Sequence, residues 1–445
     1  MALTGIQIFK LLPKTNCGEC GSPTCLAFAM ALAAGKAELE KCPTISEEAK
    51  AQLSEASAPP IRLVTVGTGD YAVKTGGETV LFRHEKTFFN KPGLALLITD
   101  AMADDEQDRR IKTLADFQYE RVGLTLRPEL LAVKYTGNKE RFLAAVKKAA
   151  ATPYSLILMA DDASAMKEAL DAAKAKKPLI YAATKDNFEA FGKLASEYGC
   201  PLAVKGQGLE ELSALSDKLI GAGVKDIVLD SGARTPKDSF SDQIVIRRAA
   251  LQNRFKPFGF PTIALPCEMT DDFMKETLLA SLFIAKYAGL IVLSDFKGEN
   301  LFPLLLERLN IYTDPQRPMT TEQGIYPINN PDENSPALVT CNFSLTYFIV
   351  SGEIENSRVP SWLCVMDTEG LSVMTAWAAG KFVADTVGPF IKKCGIADKI
   401  KAKKLIIPGY AANILGDLEE ELPGWAITVG PREAAVIPAF LKSGK

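Results

Sequence analysis

The sequence predicts an α/β chain in three parts: a cysteine-rich module at the start, a closed (β/α)8 barrel in the middle and a smaller α/β domain at the end. Three observations carry that expectation. Four cysteines fall within residues 17–42, eight short apolar runs recur between about residues 93 and 312, and a stretch with five prolines (313–337) separates those runs from a further set of strand and helix patterns. A length of 445 residues points the same way, because a chain this long does not fold around one core.

The first element is the cysteine module, where Cys17, Cys20, Cys25 and Cys42 follow the spacing Cys-x2-Cys-x4-Cys-x16-Cys-Pro. Four thiolates this close can converge on one inorganic centre without a large fold behind them. The spacing does not repeat as the two matched Cys-x2-Cys pairs of a zinc ribbon. Gly18, Gly21 and Pro23 let the loop bend around something wider than one ion, and Pro43 follows the last cysteine as in many ferredoxin-type runs. The spacing favours a cubane iron-sulfur cluster, with structural zinc and a disulfide-stapled or unliganded loop as the alternatives. LAFAMALAAGKAELEK, directly after Cys25, has helical periodicity, so the third ligand stands at a helix start and the fourth just beyond its end. SEEAKAQLSEA (46–56) reads as a short helix. The paired prolines of 57–62 read as a linker, which sets the first boundary near residue 58.

LVTVGTGDYAVKTGGETVLF (63–82) alternates like strands around glycine-rich turns. Thr75-Gly76-Gly77 is its turn signal, and the segment is expected to be a β-hairpin closing one end of the domain after it. The eight apolar runs come next: LALLITD (94–100), LLAVKYT (130–136), YSLILMAD (154–161), PLIYAAT (178–184), PLAVKG (201–206), DIVLDSG (226–232), TIALP (262–266) and LIVLSDF (290–296). Each precedes a stretch of helical character. Strands buried on both faces and spaced in this way form parallel sheets, and eight of them in about 220 residues close a TIM-type barrel, with an open doubly wound sheet as the alternative. Asp100, Asp161, Asp162, Asp230 and Asp295 follow strand ends, where a barrel keeps general acids and where helices also take their N-caps. Capping is the expectation here. The chain's one histidine, His84, cannot build a His-based metal site or a Ser-His-Asp triad and reads as a surface or hydrogen-bonded residue.

The 313–337 stretch has no periodicity and reads as an ordered connector. After it, ALVTCNFSLTYFIVSGEIE suggests two strands or one bent strand, and WLCVMD (362–367) another. A long helix is expected from about Val373, then a strand at 404–409, a helix through AANILGDLEEELPG, a strand at 425–430 and a closing helix. This is a small Rossmann-type domain, which binds ligands at the carboxyl ends of its strands. Its candidate loops are 340–346, 370–375, 408–412 and 430–433. They contain neither Gly-x-Gly-x-x-Gly nor a P-loop, so a dinucleotide is disfavoured.

Composition narrows the classes. A net charge of -3 gives no reason to expect nucleic acid, and 47% hydrophobic with 24% charged residues describes a soluble protein. There is no run of eighteen apolar residues and the N-terminus does not read as a signal peptide, so the expected setting is cytoplasmic. The other five of nine cysteines read as small buried hydrophobes.

LTGIQIFKLLPKTNCGECGSPTCLAFAMALAAGKAELEKCP at the start, LMADD (158–162), DENSPALVTCNFSLTYF (332–348), GLSVMTAWAAGKF (370–382) and VGPREA (429–434) together resemble one family, the large (gamma) subunit of the corrinoid iron-sulfur protein of the acetyl-CoA pathway. The resemblance runs end to end. It implies a 4Fe-4S cluster domain (1–57) on Cys17, Cys20, Cys25 and Cys42, a linker and hairpin (58–92), a TIM barrel (93–312), the connector (313–337) and a corrinoid-binding domain (338–445). It implies corrinoid contacts at Thr340 and Thr346, at Gly370, Leu371, Ser372 and Val373, and at Gly430, Pro431, Arg432, Glu433 and Ala434, with Thr375 near the lower face of the cobalt. No histidine lies in that domain, so the cobalt is expected to lack a protein His ligand, which eases reduction of Co(II). The implied activity is methyl carriage from methyltetrahydrofolate on a methyltransferase to acetyl-CoA synthase, in a heterodimer with a small barrel subunit, the cluster returning Co(II) to Co(I). The rival readings are a barrel methyltransferase acting on a pterin, with a structural cluster, and an electron-transfer subunit without corrinoid.

Overall fold

The computed structural model describes residues 5–443, apart from 34–36, 38, 47, 51–52, 54–58, 122–123 and 315–317. Most of the helix expected over 46–56, and the boundary near residue 58, lie outside the described residues. The chain divides into two compact units, one of Met1–Gln118 with Arg127–Tyr312, the other of Tyr119–Leu126 with Thr313–Lys445. Among the described residues no helix is long and apolar enough to cross a membrane.

At the start, helices Gly5–Leu11 and Cys25–Ala33 pack together. A side chain at Gly5 would run into Met30, so the absence of a Cβ sets how closely the two helices approach. Ile8, Leu12, Phe28, Ala29 and Leu39 are buried between them and around Cys25 and Cys42.

Strands β1 (Val64–Val66) and β2 (Val73–Thr75) then form an antiparallel hairpin. The turn differs from the expected one. The chain reverses through 67–72, and Gly76 and Gly77 lie beyond the second strand. Gly76 has φ +85° and sits where any Cβ would strike the Arg62 carbonyl, so its glycine serves a close backbone approach rather than a hairpin turn. Val64, Val66 and Val73 plug the amino-terminal end of the barrel, where the Ser155 hydroxyl donates to the Tyr71 carbonyl at 2.6 Å.

The barrel strands begin with β3 (Gly93–Thr99). An unforeseen hairpin of β4 (Tyr119–Arg121) and β5 (Leu124–Leu126) follows and packs with the C-terminal unit. The barrel resumes with β6 (Leu130–Lys134), β7 (Ser155–Met159), β8 (Leu179–Ala183), β9 (Leu202–Lys205), β10 (Ile227–Asp230), β11 (Thr262–Ala264) and β12 (Ala288–Leu293). All eight expected strands close into one parallel barrel through the β12–β3 pairing. Alternate residues such as Ala95, Ala132, Ile157, Leu179, Val228 and Val292 fill its interior, as a tilted closed sheet requires. Arg308, 1% exposed, makes two 2.8 Å bonds to Glu129 and caps the Pro92 and Arg127 carbonyls, so helix Gly298–Ile311 is tied to the amino ends of β3 and β6.

The C-terminal unit is a five-stranded sheet of β13 (Gly324–Ile328), β14 (Ala337–Cys341), β15 (Ser361–Met366), β16 (Lys404–Ile407) and β17 (Ala426–Val429). The order is β13-β15-β14-β16-β17, parallel except for β13 at the edge. Three readings of this region change. The connector holds β13, and Pro327 is tolerated there because an edge strand can spare a donor. The segment after β14 is helix Ser344–Ser357, not a second strand: Tyr347, Val350 and Ile354 recur at helical spacing and meet the sheet together. The long helix from Val373 is two helices, Val373–Ala378 and Ala384–Lys393, broken at Gly380 with φ +71°.

Candidate functional site

Local backbone chemistry shapes the cysteine loop. Lys14, Asn16, Gly18 and Gly21 all have positive φ, and the Gly21 N–H donates to the Gly18 carbonyl at 2.9 Å. A run of left-handed turns aims backbone N–H groups into a concavity that suits an anion, and iron-sulfur clusters are common occupants of such loops. The Asn16 side-chain oxygen accepts from the Cys25 N–H at 2.8 Å while the Asn16 N–H donates to the Cys25 sulfur at 3.4 Å, fixing that thiol at the start of its helix. Cys25 and Cys42 are buried, Cys20 is half-buried and Cys17 is exposed; all four are free. Among the described residues no three His, Cys, Asp or Glu side chains converge at the spacing of a single-ion site. Four free thiols around a loop bent at Lys14, Asn16, Gly18 and Gly21 fit the donor set of an iron-sulfur cluster.

The second candidate is a cleft at the carboxyl ends of the C-terminal strands. In sheet order the parallel strands run β15-β14-β16-β17, so the winding reverses between β14 and β16. Such a reversal opens a crevice outside the carboxyl ends. A cavity of about 320 Å³ lies there. Thr340 is next to last in β14, Pro408 follows β16 and Gly430 follows β17, so the lining comes from neighbouring strand ends, and Leu338 and Ile406 of the sheet with Ile349 and Val350 of helix Ser344–Ser357 form its apolar floor.

Most of the expected contact residues meet in this cleft. Thr340, Thr346, Ser372, Val373, Gly430, Pro431, Arg432, Glu433 and Ala434 line it. Gly370, Leu371 and Thr375 are not part of the lining. The Gly370 N–H is held by Asn342, Leu371 packs on the core, and the Thr375 hydroxyl shares a 3.0 Å hydrogen bond with that of Ser372. Thr340 is buried, yet its hydroxyl has no hydrogen-bond partner. A buried hydroxyl left unpaired beside a cavity is a group that a ligand can satisfy. Tyr410 reaches across the rim to Glu433 at 2.8 Å, and that bond holds its phenol above the ordinary range.

Two features escaped sequence reasoning. Buried Asn342 accepts from the Thr368 N–H, the Thr368 hydroxyl and the Gly370 N–H, each at 3.0 Å, and donates to Asp367 at 2.8 Å, so one side chain shapes the loop after β15. Its signal was a polar side chain directly after a strand. The apolar floor gave none, because Leu338, Ile349 and Ile406 look like ordinary core.

The barrel's carboxyl end is built differently. Asp100 accepts from the Thr136 hydroxyl and from the N–H groups of Thr136, Gly137 and Asn138; burial alone would raise its carboxyl, but these bonds hold it below the usual range. Asp162 caps helix Ala163–Ala173, and Asp295 pairs with Arg109 at 2.7 Å. Asp230 takes the Tyr181 hydroxyl at 2.5 Å and Arg234 at 2.9 Å. Arg234 continues to Glu268 at 2.6 Å, and Glu268 to Lys134 at 2.6 Å. Burial, then the Asp230 charge, push the Tyr181 phenol well up. Asp161 makes no such bond to a charged partner in this network. Four of the five strand-end acids are thus committed to caps or ion pairs.

A family model described as "CO dehydrogenase/acetyl-CoA synthase delta subunit" matches residues 63–441, and one for an Fe-S cluster matches 12–44. The chain is 46% identical over 445 residues to a "Corrinoid/iron-sulfur protein large subunit" of Moorella thermoacetica, covering 100% of this chain and 99% of that one. It is 37% identical to an "Acetyl-CoA decarbonylase/synthase complex subunit gamma" of Methanopyrus kandleri, covering 99% and 97%. The same subunit of Methanothermobacter thermautotrophicus is 34% identical, covering 99% of each chain.

Proposed function

Because the chain belongs to the family of corrinoid/iron-sulfur protein large subunits, the gamma subunits of acetyl-CoA decarbonylase/synthase complexes, we propose that it is a methyl-group carrier. In this reading residues 1–57 are the cluster domain and 338–445 a Rossmann-like corrinoid domain, in a cytoplasmic protein. A bound corrinoid supplies a cobalt centre that, as Co(I), takes a methyl group from methyltetrahydrofolate on a separate methyltransferase and yields it to acetyl-CoA synthase. Cys17, Cys20, Cys25 and Cys42 would hold a 4Fe-4S cluster, which in its reduced form would supply the one electron needed to return Co(II) to Co(I), being oxidised in turn.

The protein's own part is binding, orientation and exclusion of water. Thr340 and Thr346 offer hydroxyls to the corrinoid's amide periphery. Ser372, hydrogen-bonded to Thr375, lies at the start of helix Val373–Ala378, and Gly430 to Ala434 bring backbone close to the ligand. The apolar floor along Leu338, Ile349 and Ile406 suits a flat heteroaromatic group. His84 lies in the other unit, so a cobalt in this cleft takes no histidine from its own unit. The small subunit of the corrinoid iron-sulfur protein is the partner this reading calls for.

The cleft carries the proposal: its apolar lining, its unsatisfied Thr340 hydroxyl and its place at the winding reversal support a cofactor of which part enters the cavity of about 320 Å³. Anaerobic purification with metal analysis tests it. About one cobalt and about four irons per chain, with corrin absorption, are expected. Iron without cobalt, in protein purified from corrinoid-replete cells, would favour an electron-transfer subunit instead.

A further inference from the structure

Five cysteines stand outside the cluster loop, and their surroundings divide them. Cys200 and Cys267 lie in the barrel unit, where burial pushes both thiols up, Cys200 to about 11. Held as thiols, they act as small hydrophobes and react slowly. Cys364 and Cys394 differ, because each is the other's hydrogen-bond partner.

That contact joins two elements of one core. Cys364 is fully buried in β15, between Ile325 of β13 and Val339 of β14. Cys394 caps the carboxyl end of helix Ala384–Lys393 and packs against the same core, beside Phe390 and Ile391. It is half-buried, and Gly395 after it, at φ +86°, ends the helix there. One sulfur is thus sealed in the domain and the other stands at its edge.

Position sets their roles. The Cys364 hydrogen bond draws the Cys394 thiol down to about 7; burial opposes this, and the Ile396 and Cys394 N–H groups add to it. The same contact, with burial, pushes the Cys364 thiol well up. Cys394 is therefore the thiolate that attacks first, and Cys364 the thiol that resolves the product.

We propose that Cys364 and Cys394 form a peroxide-sensitive modification site, oxidised together to a reversible disulfide within the C-terminal unit. The Cys394 thiolate attacks one oxygen of hydrogen peroxide, and the O–O bond breaks. Hydroxide leaves with the electron pair and takes up the proton that the thiol had lost, so the products are a sulfenic acid and water. The Cys364 sulfur then displaces the sulfenic oxygen as hydroxide, which takes the Cys364 proton and leaves as a second water. Both thiols are oxidised to one S–S bond, and the peroxide is reduced to water.

The bond closes a ring on the segment between the two cysteines, which carries Ser372 and Val373 of the cleft lining. Closure restricts any opening that parts the ends of that segment. Oxidation thereby reaches the cleft through its own wall. The inference rests on packing inside this unit and stands whether or not the cleft holds a corrinoid.

The test treats the full-length chain, purified without oxygen, with about one equivalent of hydrogen peroxide, followed by alkylation and peptide mass spectrometry without reductant. A linked peptide pair joining Cys364 to Cys394 is expected, lost on adding dithiothreitol, with amide exchange across 370–383 slowed roughly fivefold. Cys394→Ser should show no link and an unoxidised Cys364. Cys364→Ala should leave a sulfenic acid on Cys394, captured by dimedone. Both cysteines unmodified, sulfinic acid on Cys394 beside a free Cys364, or links to other cysteines instead would overturn the pair. The expected link with unchanged exchange would overturn its reach to the cleft.

Discussion

At the carboxyl ends of the barrel strands Lys134, Glu268, Arg234, Asp230 and Tyr181 form one continuous run of hydrogen bonds, whereas at the carboxyl ends of β14 to β17 Thr340 keeps a buried hydroxyl with no partner beside a cavity of about 320 Å³. Both are ends of parallel strands, where ligands of α/β proteins are usually found. The topological rule nominates both faces equally. What separates them is satisfaction: a half-buried ion-pair network that answers its own charges serves the fold's integrity, while an unsatisfied hydroxyl at a cavity is available to a ligand.

The largest expected effect comes from the barrel. Arg308→Ala removes both short bonds to Glu129, leaving it only Lys91 at 3.7 Å and the Leu94 N–H, and uncaps two carbonyls, so urea unfolding of the barrel should show a loss of about 3–5 kcal/mol. Corrinoid uptake by the molecules that remain folded should be unchanged, which would sharpen the contrast between a structural and a binding region.

Next comes the scaffold of the cleft. Asn342→Ala leaves the Thr368 and Gly370 N–H groups unanswered, while the Thr368 hydroxyl keeps the Leu371 carbonyl, and should cost roughly 2–3 kcal/mol, with corrinoid affinity falling alongside, read by equilibrium unfolding and cobalamin titration. An unchanged affinity would separate this loop from the site.

Asp230→Asn removes one of Arg234's two carboxylate partners, leaving Glu268, and should cost about 1–3 kcal/mol by thermal melt. Methyl transfer with added methyltransferase should stay within about twofold of the parent. A drop beyond about tenfold in well-folded protein would break the comparison by moving chemistry into the barrel.

Thr340→Val removes a hydroxyl that bonds to nothing in the protein. Stability should hold within about 0.5 kcal/mol while corrinoid affinity falls roughly tenfold, about 1.4 kcal/mol. The reverse result, lost stability with intact affinity, would sink the distinction.

The smallest effect concerns acid. Hydrogen bonds from Arg109, then Arg110, hold the Glu106 carboxyl down to about 2. Its folded value lies below its unfolded value near 4.5, so the stabilisation is present above pH ~4.5 and fades as pH falls toward ~2. The pair is largely exposed, which keeps the contribution under about 1 kcal/mol. Glu106→Gln should flatten that part of a stability-against-pH curve measured at low salt.

Much of this molecule was legible from local pattern. The four cysteines proposed as cluster ligands stand out by their spacing, and the barrel by eight runs apolar enough to be buried on both faces. The loops holding Thr340, Ser372 and Gly430 follow from which residues end strands. Short-range periods record such features because each depends on residues a few positions apart.

Tertiary structure decided the rest. Ser344–Ser357 is apolar along most of its length and reads equally as strand, until a sheet beneath it gathers Tyr347, Val350 and Ile354 on one side. β13 exists because β15 offers it an edge, despite Pro327, and the 119–126 hairpin joins the C-terminal unit, where Arg121 lies over the ring of Phe348, more than 220 residues later in the chain. The depth of the cleft comes from Leu338, Ile406 and Ile437, ordinary core residues until the winding reversal leaves a gap between them. Those outcomes depend on which distant segments meet, and that pairing energy is absent from any short window of the sequence.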